Sequence, residues 1–179
     1  LTTQTIHECL KRNIPIHYLN YHGRYVGSSF PIFHFHGILR EAQWRTHFDE
    51  SKALEFARII VGSKIRNIRT LMMRYLRSDR TDDDRTQFEQ LKVLSKKASR
   101  SENDDTLRGF EGAASRLYFN RFSEYIKPGM RKEFPFNGRN RRPPRDPVNA
   151  MLSFGYGLLA KDAAGAAIRV GFDPFCGFF

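Results

Sequence analysis

Apolar residues recur at Leu54, Ala57, Val61, Ile65, Ile68, Met72 and Tyr75, at spacings of three and four. That period places one buried stripe along a long helix. Asp49 stands ahead of it as an N-cap, with Phe48 positioned to staple onto the first turn. The opposite face carries Lys52, Arg58, Lys64, Arg66 and Arg69. Upstream the pattern is different. Residues 2–12 suit a short helix capped by Thr2 or Thr3, with Ile6, Cys9 and Leu10 on one face. "IPIHYL" (14–19) is strand-like, Gly23 marks a turn before a second strand, and "PIFHFHGIL" makes a third apolar run.

Downstream of the long helix, residues 78–84 ("SDRTDDD") read as an acidic loop, and 85–100 as a more polar helix. "SENDD" (101–105) caps a further helix that runs to about Ile126 and contains Glu111. Residues 127–145 lack periodicity and read as a loop, with seven basic residues against one acid. "DPVNAML" opens a last helix, with Asp146 as N-cap and Pro147 in the first position, and Gly171 ends it. Its small residues, from Gly155 and Gly157 to Ala163–Ala167, predict close approach of neighbouring helices. The expected class is α+β. Residues 1–37 form part of a β-rich domain, 38–48 a linker, and 49–179 a mainly α-helical domain.

Charge changes this picture most. Thirty Lys and Arg against 19 Asp and Glu leave a net charge of +11. Such a balance favours polyanionic partners through counterion release; a basic protein with no such partner is the alternative. The two cysteines, Cys9 and Cys176, are too few for a disulfide framework or a zinc knuckle, which points to a reducing compartment such as the cytoplasm. No apolar run approaches the ~20 residues that span a bilayer. The chain starts at Leu1 without a methionine and stops on "GFF", so it reads as interrupted at both ends.

Candidate chemistry is sparse. The forks of Arg139, Arg141, Arg142 and Arg145 suit phosphate oxygens, and Phe134 or Phe136 could stack on a displaced base; a solvated loop is the plain alternative. His34 and His36 share one strand face, a spacing that permits metal binding but lacks a third ligand. Glu111 sits between Phe110 and Gly112. It is either a metal-binding carboxylate or a glutamate near a helix start, favoured by the helix dipole. Alone it cannot make a hydrolase, because a divalent cation acting on phosphodiesters takes two or three protein ligands. A nucleotide-binding glycine loop and a Ser/His/Asp order are both missing.

Four blocks, "ALEFARIIVGSKIRNIRTLM", "GFEGAASRLYF", "RNRRPPRDPVNAMLSFGYGLL" and "GFDPFCGFF", resemble in order and spacing the CRISPR-associated adaptation endonuclease/integrase family, Cas-one. "GILREAQW" looks like that family's linker segment. The resemblance implies a β-sandwich-like N-terminal domain and a helical catalytic domain. It also implies a homodimer, a bridging Cas-two dimer and, in some systems, a fused or bound Cas-four nuclease. The implied activity is metal-dependent DNA cleavage and the joining of prespacer 3′ ends to the CRISPR repeat, with Mg²⁺ or Mn²⁺. Glu111 matches the family's first metal-ligating glutamate. The second ligand is expected as a histidine just after a block like "GFDPFCGFF", followed by a later acid, so the chain as given is expected to be inactive alone. By the same resemblance Arg139, Arg141 and Arg142 lie beside DNA. Arg145 belongs to the same loop, and Asn149 and Tyr156 line the cleft or, for Tyr156, pack the helix. Lys64, Arg66 and Arg69 either track the duplex backbone or solvate the long helix. A non-catalytic DNA-binding or scaffold subunit of the same kind of assembly is the alternative.

Overall fold

The computed structural model describes residues 1–21, 25–31, 37–76, 81–140 and 143–179. The chain divides into two compact units, one of residues 1–45 with 150–177 and one of residues 46–149 with 178–179.

In the first unit, helix α1 (Thr3–Lys11) is capped by Thr2, whose side chain accepts from the Thr5 N–H. Strands β1 (Ile16–Leu19) and β2 (Tyr25–Ser29) pair antiparallel, Ile16 opposite Ser29, with an irregularity between Tyr18 and Leu19. The third expected run falls largely on residues 32–36, which lie outside the described residues, as do His34 and His36. Residues 38–48, expected as a linker, lie within helix α2 (Gly37–Phe48). Gln43 of α2 is buried and bonds three times to the C-terminal segment. Its amide donates to the carbonyls of Asp173 and Cys176, and its carbonyl accepts from the Asp173 N–H. Arg40 adds a bond to the Gly171 carbonyl. The "GILREAQW" and "GFDPFCGFF" blocks, far apart in the chain, are thus joined by the side chains of Gln43 and Arg40.

The second unit is built on helices α3 (Glu50–Tyr75), α4 (Asp82–Ala98) and α5 (Asp104–Asn120). Asp49 caps α3, accepting from the Lys52 N–H, as the pattern predicts. Phe48 does not bury against the first turn; it stays exposed with its ring edge-on to His47. The α3 stripe is the core: Ala57, Val61, Ile65 and Met72 are buried against Phe88, Leu91 and Ala98 of α4 and Leu107 and Ala114 of α5. Tyr75, at the end of the stripe, is more than half exposed.

Two boundaries differ from the sequence expectation, each for a local reason. The acids at 82–84 begin α4 rather than filling a loop. Thr81 and Asp84 form a capping box, and acids in the first turn complement the helix dipole. Helix α5 is capped by Asn103 and ends at Asn120, not near Ile126; a 3₁₀ turn (Phe122–Tyr125) follows. Its last turns and the 3₁₀ turn share an aromatic cluster in which Phe122 packs on Tyr118, Phe119, Tyr125 and Phe136.

Helix α6 (Pro147–Arg169) starts as expected, Asp146 accepting from the Asn149 N–H. It closes at Gly171, whose φ of 96° is open to glycine. The expected close approach of neighbouring helices is not found at the glycines of α6 among the described residues. A Cβ at Gly155 or Gly157 would meet nothing within 4 Å among the described residues, while one at Gly165 would touch the His17 ring at 3.6 Å.

Candidate active-site carboxylate and basic surfaces

Glu111 lies in the middle of α5, two turns past its N-terminus, so the helix dipole that would favour a first-turn carboxylate does not reach it. What holds it is a side chain from another helix. Lys64 of α3 forms an ion pair with Glu111 Oε1, and the Ser115 hydroxyl, one turn on, donates to the same oxygen at 3.3 Å. The glutamate is about a quarter exposed, at 28%. Gly109 and Gly112 flank it, and a Cβ at either would meet nothing within 4 Å among the described residues. The surface around the carboxylate is therefore low and open, with a cation already directed at it.

One carboxylate does not make a divalent-cation site. Among the described residues no group of three or more His, Cys, Asp or Glu converges to hold a metal. Glu111 offers a single oxygen ligand where such an ion takes several.

The arginine loop is only partly a free surface. Arg139 turns inward. Its guanidinium donates to the Asn140 carbonyl at 2.7 Å and to the Asn149 side-chain oxygen at 2.8 Å. Asn149 is fully buried and is the hub of this loop. Its oxygen also accepts from the Asn140 N–H, and its amide donates to the Gly138 carbonyl and to Asp146. Bonds from Asn149 hold the Asp146 carboxyl below its ordinary range, with partial burial opposing and further bonds from Asn140 and the α6 backbone assisting. Asn149 and Arg139 therefore fix the loop to the start of α6; Asn149 is fully buried and Arg139 part-exposed. Arg145 is exposed, its N–H bonded to the Asn140 side chain. Arg141 and Arg142 lie outside the described residues. Phe136 is buried against Phe119 and Phe122, so it is not available to stack on a base; Phe134 is partly exposed. Tyr156 is half exposed, on the part of α6 that belongs to the first unit.

The basic residues of α3 do not form one track. At about 100° per residue, Lys64 and Arg66 point about 160° apart, on nearly opposite faces. Lys64 faces α5 and Glu111. Arg66 and Arg69 face α4, where Arg69 donates to the Phe88 carbonyl at 3.0 Å. Arg58, another expected surface cation, donates to the Ser101 carbonyl.

Spacing gave no sign of the Lys64–Glu111 pair, because its members lie 47 residues apart. The buried charge cluster of Asp84 and Arg121 was missed too. Arg121 bonds Asp84 at 2.6 Å and also reaches Asp83 and Glu124. The Thr81-x-x-Asp84 pattern was a readable sign of the Asp84 end.

The comparisons extend over the whole chain. The family model for CRISPR associated protein Cas1 matches residues 1–179. A Cas4 exonuclease/Cas1 endonuclease fusion of Geobacter sulfurreducens is 38% identical over 184 residues, covering all of this chain and 33% of that protein. A solved Cas1 protein from Thermotoga maritima superposes with a TM-score of 0.77 at 27% identity, over 99% of this chain and 54% of that one. A chain of a Cas6-RT-Cas1–Cas2 complex does so with a TM-score of 0.74 at 29% identity, over 96% of this chain and 18% of that one. The chain thus spans about half or less of the proteins it matches. With its helical unit, its glutamate-bearing α5 and a family match from end to end, this chain belongs to the Cas1 family.

Proposed function

We propose that the whole protein carrying this chain is a spacer-acquisition integrase. In this reading it is a DNA endonuclease and transesterase that binds a prespacer duplex and joins its 3′ ends to the CRISPR repeat. The observation that carries the reading is Glu111, held mid-helix on an open, glycine-flanked surface within a chain that matches the family throughout. Glu111 supplies one ligand to Mg²⁺ or Mn²⁺, with the others outside the described residues. Such an ion lowers the cost of negative charge on the attacked phosphate. This chain's own contribution is to hold the carboxylate aimed, through Lys64 and Ser115. A duplex is held electrostatically, with Arg145, Arg66 and Arg69 as exposed or groove-facing cations. Arg141 and Arg142 belong to the same proposal by sequence. A homodimer, a Cas2 dimer and a Cas4 nuclease are the proposed partners; the Cas1–Cas2 complex and the Cas4/Cas1 fusion among the similar proteins support the last two.

A second reading has one observation in its favour. Lys64 already neutralises Glu111, as in a copy that binds DNA without performing chemistry. The two separate in one experiment on the whole protein. Glu111→Ala is expected to abolish strand transfer with Mg²⁺ or Mn²⁺ and to leave duplex binding within about two-fold. Strand transfer at the wild-type rate would overturn the catalytic role and favour the second reading.

A further inference from the structure

We infer that the groove between α3 and α4 is a phosphate track for duplex DNA, separate from the Glu111 surface. The inference rests on the reading that the whole protein handles DNA. The groove has a volume of about 610 Å³ and lies within the second unit. Arg66 and Arg69 line it from α3, and Lys92, Lys96 and Arg100 from α4 and the turn after it; its other lining residues bear hydroxyls, and none is acidic. Glu89, outside the lining, pairs with Lys92 at 3.1 Å and more weakly with Arg69 at 3.9 Å. Arg66 has only the Ser63 hydroxyl, and no acidic side chain pairs with Lys96 or Arg100 among the described residues.

The helix dipole accounts for part of this. Cations at the C-terminal end of α4 are favoured by its last carbonyls, which suits Lys96 in the last turn and Arg100 just past it. It does not account for Lys92, or for two arginines brought to the same groove by a different helix. Converging cations repel one another, and a polyanion removes that cost while releasing its own counterions. The spacing also fits an extended anion. Lys92 and Lys96 lie one four-residue step apart, about 6 Å along the helix, and Arg100 follows in the turn beyond it. Every second phosphate of one DNA strand advances about 6.8 Å along the axis. Ser95 is buried and its hydroxyl donates to the Gly62 carbonyl, which ties α4 to α3 beneath the groove; the Ser99 hydroxyl bonds back to the Ser95 carbonyl.

The test uses the whole protein and a short fluorescent duplex, with affinity measured by anisotropy over a range of salt. The triple variant Arg66→Gln/Lys96→Gln/Arg100→Gln is expected to bind roughly ten-fold more weakly or worse. Its slope of log affinity against log salt should be shallower by about 2.7, at about 0.9 per phosphate contact. The charge-retaining variant Arg66→Lys/Lys96→Arg/Arg100→Lys is expected to keep most of the wild-type slope. A glutamine variant that melts like wild type and binds with unchanged affinity and slope overturns the track but leaves the integrase reading standing. Equal loss in both triple variants also overturns it, because charge is then not the cause. Wild-type protein without salt-dependent duplex binding overturns the track and the integrase reading together.

Discussion

Asn149 carries more of the second unit's polar architecture than its residue type suggests. Its side chain is fully buried, and each of its polar atoms is used twice, by Arg139 and Asn140 on one side and by Gly138 and Asp146 on the other. Removing such a group leaves several buried partners unsatisfied, and that cost exceeds the net worth of the bonds themselves. Asn149→Ala is expected to lower stability by about 2–4 kcal/mol in a denaturant titration. Asn149→Asp should be no milder, since it sets a second carboxylate against Asp146 and discards both amide donors. A loss under about 0.5 kcal/mol in either would show that the loop is not held here. Glu111 differs in kind. Its partners are one lysine and one hydroxyl at a part-exposed site, a pairing worth only about 0–1 kcal/mol. Its replacement should therefore read out in chemistry far more than in folding.

At the scale of elements, Gly62 decides how closely α3 and α4 approach. The Ser95 hydroxyl donates to its carbonyl, and a Cβ at Gly62 would lie 3.0 Å from the Ser99 Oγ. Because that Oγ ends a rotatable side chain, Gly62→Ala should cost no more than about 1 kcal/mol. Gly62→Leu, which must separate the helices or rebuild their contact, should cost about 1–3 kcal/mol. Thermal melting of Gly62→Ala with and without Ser99→Ala tests the contact: the double variant is expected to melt higher than Gly62→Ala alone. No recovery would place the strain elsewhere. Most of this element-level architecture was readable in advance. The α3 stripe, the Asp49 cap, the Asp146–Pro147 start and the Gly171 stop are all local signals. Where the reading failed, a local signal competed with another. The acids at 82–84 look like a loop by composition, but as a first turn behind Thr81 they are stabilising. The helix of Glu111 ends where an aromatic cluster takes over.

For the whole molecule, the carboxylates set the response to acid. Hydrogen bonds and the ion pair with Lys52 hold Asp49 below the ordinary 3.8. Bonds from Asn149 do the same for Asp146. At Asp84 burial opposes ionisation, but the Thr81 bonds and Arg121 outweigh it. A carboxyl whose folded value is lowered contributes stability that is fully present above its unfolded value and is lost as pH falls through the folded one. Melting temperature should therefore drop steeply below about pH 4, steepened by self-repulsion as the net positive charge grows. His17 adds a milder step of the same sign. Burial, then Lys161, lowers it from 6.5, so its contribution is present above that value and declines below it. Asp84→Asn should flatten the acid limb of a melting curve taken from pH 7 to 3; an unchanged limb would remove Asp84 from the account.

Sequence alone determined what depends on neighbours a few residues away. The helices of the second unit, their caps, the basic balance and the family blocks are written in local periodicity, spacing and composition. Tertiary structure decided what depends on residues far apart in the chain. Lys64 meets Glu111 across 47 positions, and Gln43 meets Asp173 across 130. Arg66 and Arg69 join α4's cations while Lys64 turns to α5. A 3.6-residue period tells which face a side chain occupies, but not which helix will pack against that face. For that reason the basic residues of one helix, which read as a single surface, belong to two.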